Sequence, residues 1–231
     1  VRLSIDTHCH SWYSGDGVSS PEELVAAAKR KGLHGFIITD HNTCDAYRYM
    51  VDHGIARPDG LPIDDFLIIP GVEVSTDEGH LICAGTMLPD LKGRPALEVV
   101  SQIHEAGGIA IPPHPFDAFR AGIRESVLET LPMDAIEVFN SAISFKKHNV
   151  HARDYAQRKG IPMTAGSDAH YHEAIGTAYT TVETEDFTVK GVLAALVKGD
   201  ANRHEQYLTF SDKIRKTCNN WFRLRRKRTY V

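Results

Sequence analysis

The chain has 231 residues, 42% of them apolar and 24% charged, with a formal charge of −4; this is the balance of an ordinary globular protein with a sizeable core. No apolar run approaches membrane-spanning length, and four cysteines without C-x-x-C spacing (Cys9, Cys44, Cys83, Cys218) argue against a disulfide framework or a Cys-based zinc finger. With no signal peptide before "VRLSID", the expected setting is reducing and cytoplasmic.

In chain order, short apolar runs alternate with amphipathic ones. "LSID" reads as a strand. A helix follows over "LVAAAKRKG", with Ser20 as N-cap, Pro21 in the first helical position, Glu23 completing a capping box and Gly32 as the stop. "GFIIT" is a second strand and "CDAYRYMVDHG" a second helix. "FLIIPGVEVS" and "HLICAG" read as strands joined by the turn "TDEG". The helix "PALEVVSQIHEAGG", the strands "IAIPPHP" and "AIEVFN", and the helix "FKKHNVHARDYAQRKG" come next. The strands "PMTAGS" and "AYTTVE" and the helix "VKGVLAALVKG" close the pattern. Strands alternating with helices of this length imply βαβ units and a mainly parallel sheet, and about seven such strands favour a small closed barrel. No internal repeat or long linker divides the chain. The expected organisation is one α/β domain over residues 1–210 and a tail over 211–231.

Histidine is the unusual entry in the composition: 13, against 8 Tyr and 9 Phe. In "DTHCH", His8 and His10 share one face of a strand while Cys9 takes the other, which sets two imidazoles side by side at a strand end. Active sites of parallel barrels form at the C-terminal strand ends, and those ends carry the chemistry here. His8, His10 and then Asp16 follow the first strand, and Asp40 and His41 the second. Glu73 lies in "GVEVS", His80 opens "HLI", His114 ends "PPHP", and Asp168 and His170 sit in "GSDAH". One histidine is easily a hydrogen-bonded structural residue. A set converging on one face of a fold is a metal centre, and imidazole with carboxylate suits Zn, Mn or Fe rather than calcium.

"DTHCH", "TDHN", "PGVEVS…GHLI", "PPHPF" and "GSDAH", in this order over residues 3–180, resemble the motifs of the polymerase and histidinol phosphatase (PHP) superfamily. The resemblance implies a distorted (β/α)7 TIM-like barrel, a cluster of two to three divalent transition-metal ions, and phosphoester hydrolysis. It implies that His8, His10, Glu73 and Asp168 hold one ion, that Glu73 bridges to a second completed by His80 and His114, and that Asp16, His41 and His170 hold a third. Some family members carry histidine in place of Asp16, and the carboxylate shifts the expectation towards Fe or Mn. Glu73, Asp168 and His170 are the expected catalytic residues.

A multinuclear centre lowers the pKa of water to give hydroxide at neutral pH and clamps phosphoryl oxygens, so no serine or cysteine nucleophile is needed. Neither G-x-S-x-G nor a P-loop occurs. Asp40 either orients the His41 ring or caps the following helix, and His172 is either a proton donor at the rim or a solvated loop residue. Arg120 and Arg124, then Lys146 and Lys147, are the candidates for phosphate binding. His34, His53, His104, His148, His151 and His204 read as structural or solvated.

The tail carries +7, which leaves −11 on residues 1–210. It reads as a last helix packed on the domain, or as a contact for an anionic membrane surface, nucleic acid or a protein partner. The sequence thus favours a metal-dependent phosphoesterase acting on a phosphate monoester or diester of a small molecule or nucleotide. The rivals are a nuclease acting on RNA or DNA ends, a non-catalytic metal-binding interaction module, and hydrolysis of a C–N bond. The last usually needs a metal-bridging lysine, and no lysine stands at a strand end. Oligomeric state is not legible.

Overall fold

The computed structural model describes residues 1–209 and 230, so the expected basic tail lies, Tyr230 apart, outside the described residues. Strands β1 (Arg2–Cys9), β2 (Gly35–Ile38) and β3 (Leu67–Ile69) pair in parallel. Helix α1 (Pro21–Arg30) links β1 to β2 and starts on a complete capping box: Ser20 Oγ accepts from Glu23 N–H, and the Glu23 carboxylate accepts from Ser20 N–H. Gly32, at φ +74°, takes the left-handed turn that ends it. Helix α2 (Asp45–Asp52) leads to β3.

Pro70 then breaks the run, which resumes as β4 (Gly71–Ser75) and turns back at Thr76–Gly79 into β5 (His80–Ala84). Helix α3 (Ala96–Glu105), β6 (Ile109–Ile111), a 3-10 turn (Ala118–Arg120), α4 (Glu125–Leu128), β7 (Ile136–Asn140), α5 (Lys146–Lys159) and β8 (Met163–Gly166) follow. The described elements end with β9 (Ala178–Glu183), α6 (Val189–Lys198) and β10 (Asn202–Glu205).

These strands form sheets in the orders β10-β9-β1-β2-β3, β4-β5-β6 and β7-β8. The expectation of a mainly parallel sheet needs correcting, because four strand pairings are antiparallel and three parallel. One hairpin is enough to reverse β5 between β4 and β6, while β9 returns along β1 and β10 along β9. Further backbone hydrogen bonds run between sheets. His10 N–H reaches Ala169 O (2.7 Å), Asp168 N–H reaches His8 O (2.8 Å), Asn42 N–H reaches Glu73 O (2.9 Å) and Glu137 N–H reaches Pro112 O (3.1 Å).

Alternation along the strands sorts the side chains into layers. Leu3, Ile5, Ile37, Ile69, Ile82 and Ile111 face one shared interior, where α6 packs Val192 and Leu196 against them. Opposite faces pack on the helices: Phe36 and Ile38 on α1 and α2, and Val72, Val74 and Val138 on α3 and α5. In β1 strict alternation fails, since Ile5 and His8 differ in parity yet both face inward. The cause is a bulge. The register with β2 runs Asp6↔Phe36 but Cys9↔Ile38, three steps against two. The extra residue re-aims His8 and His10 into the interior and sends Cys9 into the outer core, where its thiol faces Ile37 O.

Candidate metal centre

Most of the expected ligands come from a strand end or the loop beyond it, while Glu73 lies within β4 and His80 opens β5. His8 and His10 come from β1, His41 from beyond β2, Glu73 from β4 and His80 from the first residue of β5. His114 and Asp168 follow β6 and β8 at positive φ, 34° and 51°. Left-handed backbone at two residues other than glycine is costly, and here it turns both side chains back over the strand ends.

Glu73 is the hub. Its Oε1 lies 2.9 Å from His80 Nδ1 and 3.1 Å from His114 Nε2. Its Oε2 lies 3.2 Å from both His10 Nε2 and His41 Nδ1, and 3.4 Å from His8 Nε2. The two oxygens therefore face different sets of imidazoles. Asp168 Oδ1 stands 3.4 Å from His10 Nε2 and from His170 Nδ1. At the mouth, Asp16 Oδ2 stands 2.9 Å from His170 Nε2 and 3.6 Å from His41 Nε2.

Donor atoms within 4.8 Å of one another form four overlapping groups: His8, His10 and Glu73; His8, His114 and Asp168; His41, Glu73 and His80; and His10, Asp16, His41 and His170. These groups overlap the sets implied by the resemblance, with His80 and His114 both at Glu73 Oε1, and they add further neighbours. His114 converges with His8 and Asp168, His80 with His41, and His10 joins the mouth group.

The donors fit cations better than they fit one another. His8 Nε2 and His10 Nε2 face each other at 3.1 Å. His41 Nδ1, His80 Nδ1 and Asp168 Oδ1 are buried, lie close to other donors of the set, and make no hydrogen bond. Convergent lone pairs without hydrogen-bond geometry are what divalent ions satisfy.

Electrostatics agree. Burial opposes the Glu73 carboxylate, yet His41, His80 and His8 hold it ionised well below the usual range. Burial likewise opposes Asp168, and Arg120 and His8 prevail. Burial works against the His10 imidazolium, but the neighbouring Asp168 and Glu73 carboxylates hold its pKa up at about 9. His8 is raised well above its usual value against the same burial, by Asp168, Glu137 and Glu73. His114 is lowered, chiefly by burial.

Sequence reading missed Glu137. It is buried in β7, accepts from His114 N–H (2.7 Å) and Asn140 Nδ2 (2.9 Å), and places Oε1 3.1 Å from His8 Nδ1. That contact leaves His8 Nε2 for the centre. The available signal was a carboxylate inside the otherwise apolar run "AIEVF".

Asp40 corrects both expectations held for it. Its carboxylate accepts from Ser11 N–H (2.7 Å), Ser11 Oγ (2.6 Å) and Ser14 N–H (3.2 Å), so it pins the loop after β1. Ser14 Oγ in turn donates to Asp16 Oδ1 (2.9 Å) and accepts from His41 N–H (3.2 Å).

The centre opens into a cavity of about 290 Å³ lined by Asp16, His41, Glu73, His80, His114, Phe119, Arg120, Ala121 and His170. Arg120 donates to Asp168 Oδ2 and to Ala142 O (3.3 Å). Arg124, Lys146 and Lys147 are exposed and do not line it; the two ammonium groups lie over the rings of Tyr207 and Phe145. His172 pairs with Ser19 Oγ, 3.0 Å from Nδ1, away from the cavity lining. A larger hollow of about 1030 Å³, lined by Tyr47, Pro70, Gly85 and Leu193 among others, contains none of the expected ligands.

Known proteins resemble the chain in sequence and in fold. The sequence model of a PHP-associated family matches residues 146–201. An uncharacterised protein of Methanocaldococcus jannaschii is 30% identical over 60% of this chain and 82% of its own. A two-domain protein of Bacteroides vulgatus, described as containing a predicted PHP-like metal-dependent phosphoesterase, superposes with a TM-score of 0.71 at 18% identity. That match covers 95% of this chain and 70% of the other. Endonuclease Q, solved with a 27-mer duplex carrying an abasic lesion at its active site, superposes with a TM-score of 0.66 at 20% identity over 88% of this chain and 58% of its own.

Proposed function

The chain belongs to the PHP superfamily of metal-dependent phosphoesterases, and from that premise we propose that it hydrolyses a phosphate ester of a small molecule or nucleotide at a centre of two to three divalent ions. The observation that carries this reading is Glu73, whose two oxygens face separate imidazole sets at the floor of one cavity. A carboxylate so placed holds neighbouring cations at a fixed separation.

His8, His10, Glu73 and Asp168 are proposed to hold the innermost ion, His80 and His114 to share Glu73 in holding a second, and Asp16, His41 and His170 to hold a third at the mouth. When bound, such ions supply Lewis-acid polarisation of the phosphoryl group and hydroxide at neutral pH. The residues do the rest. Glu137 fixes the His8 ring, and Asp40 fixes the loop that carries Asp16. Arg120 contributes a guanidinium on the cavity wall that balances phosphate charge. His170 Nδ1 donates to Asp168 O (2.9 Å), which leaves its Nε2 for the mouth group beside Asp16. Zn, Mn and Fe all suit the donors, and Asp16 tilts the mouth group towards Mn or Fe.

We also read the three sheets as one distorted seven-stranded barrel. In support, inter-sheet hydrogen bonds join β1 to the end of β8, β2 to β4 and β6 to β7, with β3 and β4 counting as one strand broken at Pro70. The likeness to endonuclease Q favours a second reading, nucleolytic cleavage, in which nucleic acid takes the place of the small ester. The charge of −11 on residues 1–210 disfavours a broad nucleic-acid groove.

The test is phosphate release from p-nitrophenyl phosphate, bis-p-nitrophenyl phosphate, nucleoside monophosphates and short RNA, using protein loaded in turn with Zn, Mn and Fe. Turnover with at least one ester and metal, abolished in Glu73→Ala, is expected. Absence of turnover in a metal-replete protein would leave a binding module.

A further inference from the structure

We propose that Phe119 and Phe145 form a base-stacking platform on the rim of the metal cavity, so that the preferred substrates are phosphate esters bearing a nucleobase. The inference rests on the phosphoesterase reading and adds a substrate class to it. Phe119 is 80% exposed and Phe145 52%. Phe119 is nonetheless part of the cavity lining. The two exposed rings adjoin, one of them on the cavity lining, and offer a flat apolar surface beside the centre.

The two rings meet at a centroid distance of 5.8 Å and an angle of 59°, an edge contact that joins them into one surface rather than a slot. Their loops are rigid for a shared reason. Asp117, fully buried, accepts from Phe119 N–H (3.2 Å) and from Ser144 N–H (2.8 Å), so one carboxylate ties together the two segments that carry the rings. Phe119 and Arg120 are consecutive and diverge, the ring to solvent at the rim and the guanidinium inward to Asp168. A stacking surface and a guanidinium of the cavity wall are thus one residue apart, a spacing that suits the base and phosphate of a nucleotide. Lys147, 5.6 Å from the Phe145 ring centroid, adds positive charge beside the platform. Two rings offer far less area than a protein interface needs, while a single base matches them.

The metal-loaded protein separates this proposal from the one it rests on. Calorimetry would compare a non-hydrolysable phosphonate analogue of AMP with ribose 5-phosphate, in the unaltered chain and in Phe119→Ala and Phe145→Ala. The AMP analogue is expected to bind about tenfold more weakly to Phe119→Ala, while ribose 5-phosphate binds all three proteins alike. If AMP is hydrolysed, KM follows the same split and kcat holds. Equal affinity of the AMP analogue for the unaltered chain and Phe119→Ala overturns the platform, whatever the hydrolysis assays show. So does a loss of affinity shared by ribose 5-phosphate, or a change of oligomeric state in Phe119→Ala. Failure of every ester to turn over, with the calorimetric difference intact, overturns the phosphoesterase reading alone.

Discussion

Glu137 illustrates how a residue that touches no substrate can set the chemistry. Its carboxylate lies against His8 Nδ1 and also holds the His114 backbone, so it orients two ligands from one position. Glu137→Gln is expected to fold and keep most of its metal while losing ten- to a hundredfold in activity, roughly the usual effect of removing such a partner. Glu73→Ala should lose more metal per chain, by elemental analysis, than His80→Ala, because Glu73 serves several donor groups. Titration supplies a further test. In the metal-free chain His8 and His10 are held protonated above neutrality, His10 to about pH 9, and a metal takes only the neutral ring. Binding at pH 7 should therefore release protons, and affinity should rise with pH from neutrality through about 9. Calorimetry in buffers of different ionisation enthalpy checks this; pH-independent affinity would contradict it. The ligands were legible because short motifs at or near strand ends carry them, Glu73 within β4 and Asp16 in the loop after β1 included. Glu137 was not, because a buried carboxylate within an apolar strand carries no local mark of its partners. Asp40 was misread because its partners lie in a loop that only the β1–β2 pairing brings near.

Among the elements, helices were easier to read than strand pairings. The capping box at Ser20 is a local signal, and the structure contains both of its hydrogen bonds. Ser20→Ala should lower stability by about 1 kcal/mol in denaturant titration and leave metal content unchanged. The bulge in β1 was invisible, since nothing between Asp6 and Cys9 marks an extra residue until β2 fixes the register. β10 was missed because "NRHE" is a polar, mostly exposed edge without an alternating apolar face. Close approach of β8 to β1 also depends on one position. A Cβ on Gly166 would stand 2.6 Å from His8 Cβ and 2.7 Å from Glu137 Oε1. Gly166→Ala should therefore displace His8 and cut metal occupancy. Unchanged metal content would show that the strand end yields more readily than its packing implies.

Across the whole molecule, the fold separates an apolar interior sealed by α6 from a polar end that collects six histidines and three acids: His8, His10, His41, His80, His114, His170, Asp16, Glu73 and Asp168. Packing built from Ile and Val at one end lets the other tolerate strained backbone and crowded charge. Because the ions would bind the folded chain alone, chelation should lower Tm and metal return should restore it. Among the described residues no helix is long and apolar enough to cross a membrane. The central claim, that these donors make a hydrolytic metal centre, meets its most direct test in one reconstitution series. Purified protein is stripped with chelator, reloaded with Zn, Mn or Fe, and followed by elemental analysis and phosphate release together. Turnover is expected to track bound metal up to two or three ions per chain, and His8→Ala to lose both. Phosphate release that persists in stripped protein, or in His8→Ala with its metal gone, would contradict that claim.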